Sequence, residues 1–153
     1  MRIFLQFMFC VLVISALSGC AIPASAEKTA ALVPPLEKEA AEVSLKLFGA
    51  AAENVEVTQC SQVSMQDVGV LYGTWVRCMS ADASENAEIR EDGTMTYNSS
   101  ELYCYTVEGN EISIFRENMK TAEVSYEVYQ ITDEAYMFRR TDTLNCELWF
   151  KVD

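Results

Sequence analysis

The chain has 153 residues, no histidine and a formal net charge of −12. Such acidity argues against nucleic acid, whose phosphates require clusters of lysine and arginine, and against electrostatic docking on anionic lipid. Without histidine, Ser-His-Asp and Cys-His catalytic arrangements and histidine-ligated metal centres are excluded, and no glycine-rich phosphate-binding or dinucleotide-binding motif is present. We therefore expect no enzymatic activity, metal site or cofactor, and an acidic surface that serves solubility or a basic partner protein.

Residues 1–19 have the features of an export signal. Arg2 supplies the positive charge at the start, and the apolar stretch 3–17 that follows is too short to span a bilayer comfortably. The four residues ending at Cys20, Leu-Ser-Gly-Cys, resemble a bacterial lipobox, in which the cysteine becomes the lipidated first residue of the mature chain. We expect lipidation of Cys20, which would anchor the domain without a membrane-spanning helix.

A second cleavage site competes with the lipobox. Residues 24–26, Ala-Ser-Ala, fit the small-x-small pattern of ordinary signal peptidase, which would release a soluble secreted protein. We prefer the lipobox because it directly follows the apolar run. The residue after the cysteine is Ala21, and in this the sequence resembles Gram-negative lipoproteins that are retained in the outer membrane. The expected location is therefore the outer membrane, with the domain facing the periplasm.

The segment between the anchor and the fold has two parts. Residues 20–35 are small, polar and proline-bearing, which is typical of a tether. Residues 36–53 predict an amphipathic helix whose apolar stripe repeats at helical spacing: Leu36, Ala40, Val43 and Leu47. We expect it to pack across one end of the following fold or on its outer wall, with partner binding as the alternative. Residues 54–72 predict a short strand or an irregular crossing segment.

From residue 73 onward, short alternating segments and turn residues follow one another regularly. The predicted strands are 73–80, 85–90, 93–98, 101–107, 111–117, 122–131, 134–141 and 144–152. Asp92-Gly93 and Gly109-Asn110 supply the positive φ angles that tight hairpins require. Eight strands with short links form an antiparallel meander, and closure removes its two edges. We therefore predict a mainly β fold, an eight-stranded antiparallel up-and-down barrel that occupies residues 54–153 with its lead-in.

Three stretches carry a family resemblance. Gly73-Thr74-Trp75, residues 90–94 (Arg-Glu-Asp-Gly-Thr) and residues 105–114 (Tyr-Thr-Val-Glu-Gly-Asn-Glu-Ile-Ser-Ile) are similar to bacterial lipocalin-like domains on exported lipoproteins. The resemblance covers residues 71–152. It implies a calyx-type barrel with Trp75 packed into its closed base, and an arginine near the last strand stacked on that tryptophan. Here Arg139 and Arg140 lie one strand too early for that role.

Four cysteines remain beyond the signal segment and the lipidation site. In an exported chain they predict two disulfides among Cys60, Cys78, Cys104 and Cys146, with three pairings open. If Thr74 lies opposite Phe150 across the closing strands, Cys78 faces Cys146. Cys60 would then form the second disulfide with Cys104.

The candidate ligand-binding residues lie on the first strand, where Trp75, Arg77 and Met79 share a face. If Trp75 points inward, so does Arg77, and an unpaired buried charge is costly. Its counter-charge would be the carboxylate of an amphipathic ligand or an internal glutamate, unless a twist or bulge turns the side chain to water. Tyr126, one of many strand aromatics, is the fourth candidate.

Two pairs of aromatic residues lie opposite the other apolar residues of their strands: Tyr103 with Tyr105, and Tyr136 with Phe138. We expect one such face either to be exposed or to pack on the helix, and an exposed aromatic strip would mark a surface for a protein partner. The expected function is binding of a small apolar or amphipathic ligand, and the alternative is a protein-binding module such as an inhibitor or an accessory of an envelope complex. A connected apolar cavity of a few hundred Å³ favours the first, and a solid core with an exposed aromatic patch favours the second.

Overall fold

A computed structural model describes residues 34–119 and 121–152. The predicted signal segment, Cys20 and the tether up to residue 33 lie outside these residues. The described part of the chain forms nine β-strands: β1 (Ser61–Gln62), β2 (Gly73–Ser80), β3 (Ala83–Ile89), β4 (Thr94–Tyr97), β5 (Glu101–Glu108), β6 (Glu111–Phe115), β7 (Val124–Gln130), β8 (Ala135–Arg140) and β9 (Cys146–Lys151). Strands β2 to β9 are the eight predicted ones.

These eight strands form a closed antiparallel barrel. Each pairs with the next in the chain, and β2 also pairs with β9, so the first and last strands join. Strand β1 is additional and pairs with the end of β7, where Ser61 lies opposite Gln130. The predicted fold class is confirmed, since its main condition was the contact between the first and last barrel strands.

The register of that closing contact differs from the predicted one. Trp75 pairs with Lys151 and Cys78 with Leu148, so the strands are shifted by two residues from the pairing of Thr74 with Phe150. The alternation of side chains has a period of two, and a shift of two residues leaves every side chain on its own face. The sequence pattern therefore does not discriminate between the two registers.

Short hairpin turns connect several of the strands, including β3 with β4 and β5 with β6. Gly93 and Gly109 have φ angles of 84° and 61°, as the hairpin prediction required. The turn between β4 and β5 instead places Asn98 and Ser99 at φ angles of 50° and 58°. Positive φ at both central positions is the type I′ geometry, for which glycine is the preferred second residue.

The barrel interior is filled by large side chains. Its members are less than a tenth exposed and include Trp75, Ile89, Met95, Ile112, Tyr126, Phe138 and Trp149. Tyr103, Tyr105, Tyr136 and Phe138 all point into this core, so the expected exposed aromatic strip is wrong. Their rings help to fill the interior, while the residues between them on each strand face outward.

The N-terminal helix packs on the outer wall of the barrel. Helix α1 (Lys38–Leu45) continues into a 3₁₀ segment (Lys46–Ala52), and the backbone breaks at Gly49. Its buried face consists of Leu36, Ala41, Leu45, Phe48 and Ala52, packed against outward residues of β2, β7, β8 and β9. None of the helices in the described part of the chain combines the length and apolar character needed to cross a bilayer.

The predicted apolar stripe of this helix is wrong beyond its first residue. Val43 and Leu47 are 62% and 70% exposed. The observed face, from Ala41 through Leu45 and Phe48 to Ala52, has helical spacing as well. Two stripes with the same period compete, and the one that carries Phe48 removes more apolar surface from water.

A buried arginine holds the start of this segment to the wall. Arg139 of β8 donates from Nη2 to the Pro34 carbonyl oxygen at 2.9 Å and to the Tyr129 hydroxyl at 2.9 Å. It also forms a salt bridge with Glu127, the residue opposite on β7. Arg139 therefore faces outward, away from the interior tryptophans.

One end of the barrel is closed by a second 3₁₀ segment, Met65–Leu71, which precedes β2. Met65 and Leu71 belong to the interior core, and the Trp75 indole N–H donates to the Leu71 carbonyl oxygen at 2.8 Å. Lys151 caps this corner, with its ammonium 5.5 Å from the Trp75 ring centroid and 2.8 Å from the Val70 carbonyl oxygen. A lysine of the last strand thus occupies the place where the resemblance implied an arginine.

Candidate functional site

The opposite end of the barrel contains a network of charged and aromatic side chains centred on Arg77. This residue points inward from β2, two positions after Trp75. Its Nε donates to Glu147 Oε2 and its Nη2 to Glu147 Oε1, both at 2.7 Å. Its Nη1 lies 2.5 Å from Glu85 Oε1. The guanidinium is therefore held by two carboxylates, one of them in a bidentate arrangement.

Glu147 is satisfied on all sides. Besides Arg77, it accepts hydrogen bonds from the Tyr126 hydroxyl at 2.9 Å and the Trp149 indole N–H at 3.2 Å. Arg77 also lies over the Tyr97 ring, 4.8 Å from its centroid. No buried side-chain polar atom among the described residues lacks a hydrogen-bond partner. The network is thus complete without a ligand.

The electrostatics of the network follow from this geometry. Burial works to lower the pKa of Arg77, but the hydrogen bonds and the charge of Glu147 outweigh burial and hold this pKa above its ordinary value. Burial, together with the charge of Glu147, raises the pKa of Tyr126. The arginine stays charged and the phenol neutral. The sequence left open whether a ligand carboxylate or an internal glutamate balances Arg77, and in the structure the internal glutamate Glu147 does so.

The network forms the floor of a small pocket, which we call the mouth pocket. Its volume is about 180 Å³, and it is lined by Arg77, Glu85, Tyr97, Glu101, Tyr103, Ile114, Glu123, Val124 and Tyr126. This volume lies below the range of pockets for drug-sized ligands, about 300–1,000 Å³. The mouth pocket therefore suits a side-chain tip or a similarly small group.

The four predicted ligand-binding residues are only partly brought together. Arg77 and Tyr126 meet in the mouth pocket. Trp75 is fully buried near the closed end, where Tyr136 packs edge-on at a centroid distance of 5.1 Å. Met79 sits at an irregularity of the β2–β3 pairing and is 41% exposed, so the bulge turns it away from the core.

A larger apolar groove, which we call the outer groove, lies on the outside of the barrel beside the helix. It has a volume of about 380 Å³ and is lined by Glu42, Leu45, Lys46, Gly49, Ala52, Glu53, Val55, Glu56 and Val57. Its floor is apolar and its rim is mostly acidic. The outer groove shares no lining residue with the mouth pocket, so the two are separate sites.

All four cysteines in the described part of the chain are free thiols, so the two expected disulfides are not formed. Cys78 pairs with Leu148 in the observed register, two residues beyond Cys146. Cys60 directly precedes β1, which pairs with β7, and Cys104 lies on β5. Strand β6 lies between β7 and β5 in the sheet, so Cys60 and Cys104 are not on neighbouring strands. Burial raises the pKa of Cys78 and of Cys146, and protonated thiols are poor nucleophiles.

Sequence reasoning missed the residues that neutralise Arg77. Glu147 and Trp149 alternate with Leu148 and Phe150, so a carboxylate shares the inward face of the last strand. This alternation indicates from the sequence alone that Glu147 faces the barrel interior. Glu85 carries none, because its strand alternates weakly. In residues 34–119 and 121–152, no group of three or more cysteine, aspartate or glutamate side chains is placed to hold a metal ion.

Comparison with known proteins adds no further identification. No protein-family model, curated protein or solved structure matches this chain. The lipocalin-like resemblance therefore stays a prediction from the residues that carry it.

Proposed function

We propose that this chain is an exported, lipid-anchored protein without enzymatic activity, whose barrel binds a basic partner protein through the acidic surface around its mouth pocket. The observation that carries this proposal is the filled interior. Trp75, Trp149, Tyr126 and Phe138 occupy the space in which a barrel of this size would hold a small ligand. Binding is then left to the outer surface.

The charges support a basic partner. Arg77, the cation that would have recruited an anionic ligand, is already neutralised by Glu147 and Glu85. Around it, Glu101 and Glu123 add two carboxylates to the rim, of which Glu123 is paired with the exposed Arg116, and the chain as a whole carries −12. Complementary potentials of this kind steer association and set specificity more than they set affinity.

The test is capture from an envelope extract by the immobilised mature chain at low salt, followed by rebinding of the purified captured protein. We expect a basic protein whose dissociation constant rises steeply with ionic strength, because exposed charges are screened over about 8–10 Å. Capture of acidic or neutral proteins alone, or binding that does not depend on salt, would contradict the proposal.

A charge-matched pair of variants locates the surface. Glu101→Gln with Glu123→Gln removes two charges at the rim, and Glu37→Gln with Glu39→Gln removes two exposed charges on the helical segment. The rim pair should weaken binding by about fivefold to tenfold, whereas the helical pair should change it less than twofold. Equal effects of the two pairs would show that only net charge matters.

The proposed anchor has its own test. Metabolic labelling with a palmitate analogue should mark the wild-type chain, and Cys20→Ser should abolish both the label and membrane retention. An unlabelled mature chain that begins at residue 27 would instead support cleavage after the Ala-Ser-Ala segment.

A second candidate function rests on the outer groove. Its volume of about 380 Å³ and its apolar floor, which includes Leu45 and Val57, are compatible with a small apolar ligand. Native mass spectrometry of the purified chain, followed by lipid extraction, separates the two functions. A bound lipid lost on Val57→Asp would favour this candidate, and bare protein in every preparation would eliminate it.

A further inference from the structure

The mouth pocket has the wrong charge for an anion. Among its lining residues Arg77 is the single cation, against the three carboxylates of Glu85, Glu101 and Glu123. The guanidinium of Arg77 is already bonded to Glu147 and Glu85, so it has little capacity left for an incoming carboxylate or phosphate. A ligand that enters here meets net negative charge and should itself be positive.

An unpartnered hydroxyl opens into the same pocket. Tyr97 is only 7% exposed, and its hydroxyl makes no hydrogen bond with any described residue. Every fully buried side-chain polar atom in this part of the chain has a hydrogen-bond partner. Because the Tyr97 hydroxyl has none, it is not fully buried, and it is accessible from the pocket that Tyr97 lines. Burial raises the pKa of Tyr97, and the phenol oxygen stays neutral and available as an acceptor.

We propose that the mouth pocket binds the primary ammonium group of a lysine side chain from the basic partner, with the Tyr97 hydroxyl and the Glu101 carboxylate as acceptors; this rests on the proposed function. The Tyr97 ring face is already covered by Arg77, so the ammonium meets the hydroxyl and not the ring. At the rim, Glu123 forms a salt bridge with the exposed Arg116, whose guanidinium lies 5.7 Å from the Tyr103 ring centroid. With Glu147 included, the site still has four carboxylates against two guanidinium groups.

The shape of the pocket favours ammonium over guanidinium. A guanidinium is matched best by a carboxylate that accepts with both oxygens, and Glu147, which is arranged in that way, is occupied by Arg77. Glu101 already accepts from the Tyr103 hydroxyl at 2.9 Å through one of its oxygens. A compact ammonium with three rotatable donors fits acceptors that converge from different strands. Tyr97 ends β4, Glu101 begins β5, and both reach the small pocket at the barrel end.

The experiment compares three peptides of equal length on the mature chain by calorimetry at low salt. The first alternates lysine with glycine, the second replaces every lysine with arginine, and the third carries acetylated lysines. We expect the lysine peptide to bind at least fivefold more tightly than the arginine peptide, and the acetylated peptide not to bind. Equal affinity of lysine and arginine peptides would overturn the proposal.

A matched pair of tyrosine variants tests the acceptor itself. Tyr97→Phe removes the hydroxyl at the mouth, and Tyr136→Phe removes one near the closed end, where Tyr136 packs on Trp75. Because Tyr97→Phe removes a hydrogen bond to a charged group, it should weaken binding of the lysine peptide about tenfold or more. Tyr136→Phe should leave the affinity unchanged. Thermal melts of both variants confirm that the fold is intact.

The outcomes separate this proposal from the function on which it rests. If the rim variants weaken binding of the captured basic protein but Tyr97→Phe does not, the lysine site is refuted and the basic partner stands. If neither the peptides nor any basic protein bind at low salt, both fail. If methylammonium or a free diamine binds as tightly as the lysine peptide, the ammonium chemistry is right but a protein lysine as its source is refuted.

Discussion

The ion pair between Arg77 and Glu147 leads to a quantitative prediction about stability. Their side chains are 14% and 10% exposed, and Glu147 accepts bonds from Arg77, Tyr126 and Trp149 at once. Glu147→Gln keeps the size of the side chain but removes its charge. Its new amide N–H groups would also face the hydrogen-bond donors that now bind the carboxylate. Breaking one side of a buried ion pair costs about 3–5 kcal/mol. Because Glu85 still partners Arg77, we expect a loss of about 2–3 kcal/mol.

The control is a salt bridge of similar geometry at the surface. Arg140 and Asp142 are 2.8 Å apart, with side chains 35% and 58% exposed. Asp142→Asn should cost less than about 1 kcal/mol, since exposed pairs contribute little. Urea unfolding of the wild-type chain and of both variants, monitored by circular dichroism, gives the free energies of unfolding by linear extrapolation. If Glu147→Gln and Asp142→Asn lie within about 0.5 kcal/mol of each other, the reasoning from burial is refuted.

A double variant checks the cause of the loss. Arg77→Met alone leaves two largely buried carboxylates, Glu147 and Glu85, without their partner, whereas Arg77→Met with Glu147→Leu leaves only Glu85 unpaired. The double variant should therefore be more stable than Arg77→Met alone, because apolar replacement of a buried pair is often neutral or stabilising. A double variant no more stable than the single one would assign the loss to packing and not to charge.

Three further predictions concern other parts of the barrel. Ser99→Gly should stabilise the fold by about 0.5–1 kcal/mol in urea unfolding, because glycine removes the cost of the positive φ at this position, while Ser100→Gly should not. The Thr94 hydroxyl, 2.6 Å from Asp92 Oδ1, and the Thr94 backbone N–H lower the pKa of Asp92. Thr94→Val removes only the hydroxyl, so NMR titration should show the pKa of Asp92 moving part of the way back up, and no change would rule out the hydroxyl as a cause. Burial raises the pKa of Tyr126, so its contribution to stability is complete below about pH 10, the ordinary tyrosine pKa, and falls as the pH rises further. Absorbance at alkaline pH should then show this phenol ionising only as the fold opens, and ionisation at the ordinary pKa without unfolding would contradict its burial.

The helical segment illustrates the limits of periodicity. A stripe through Val43 and Leu47 and one through Leu45 and Phe48 have the same helical spacing, and both predict a helix in the same place. Which stripe is buried depends on the wall that it meets. In the structure that wall consists of outward residues of β8 and its neighbours, among them Met137, and Phe48 packs there while Leu47 is left in water.

The mouth pocket could be anticipated only in part. Alternation along β2 was enough to predict that Arg77 shares the inward face with Trp75, and a counter-charge was required on energetic grounds. The identity of that counter-charge depended on which strand closes against β2 and in which register. Arg77 lies opposite Trp149, and Glu147 of the same strand then reaches it from two positions away.

The amino-acid sequence by itself determined that the C-terminal part of the chain forms eight antiparallel strands, because alternation and turn residues specify strands and hairpins locally. The closing register, the buried face of the helix and the free state of the four thiols were decided only by the tertiary structure. The physical reason is that a pattern of period two is unchanged by a shift of two residues. Only the packing of the whole interior selects the register that places Cys78 beside Leu148 and Glu147 within reach of Arg77.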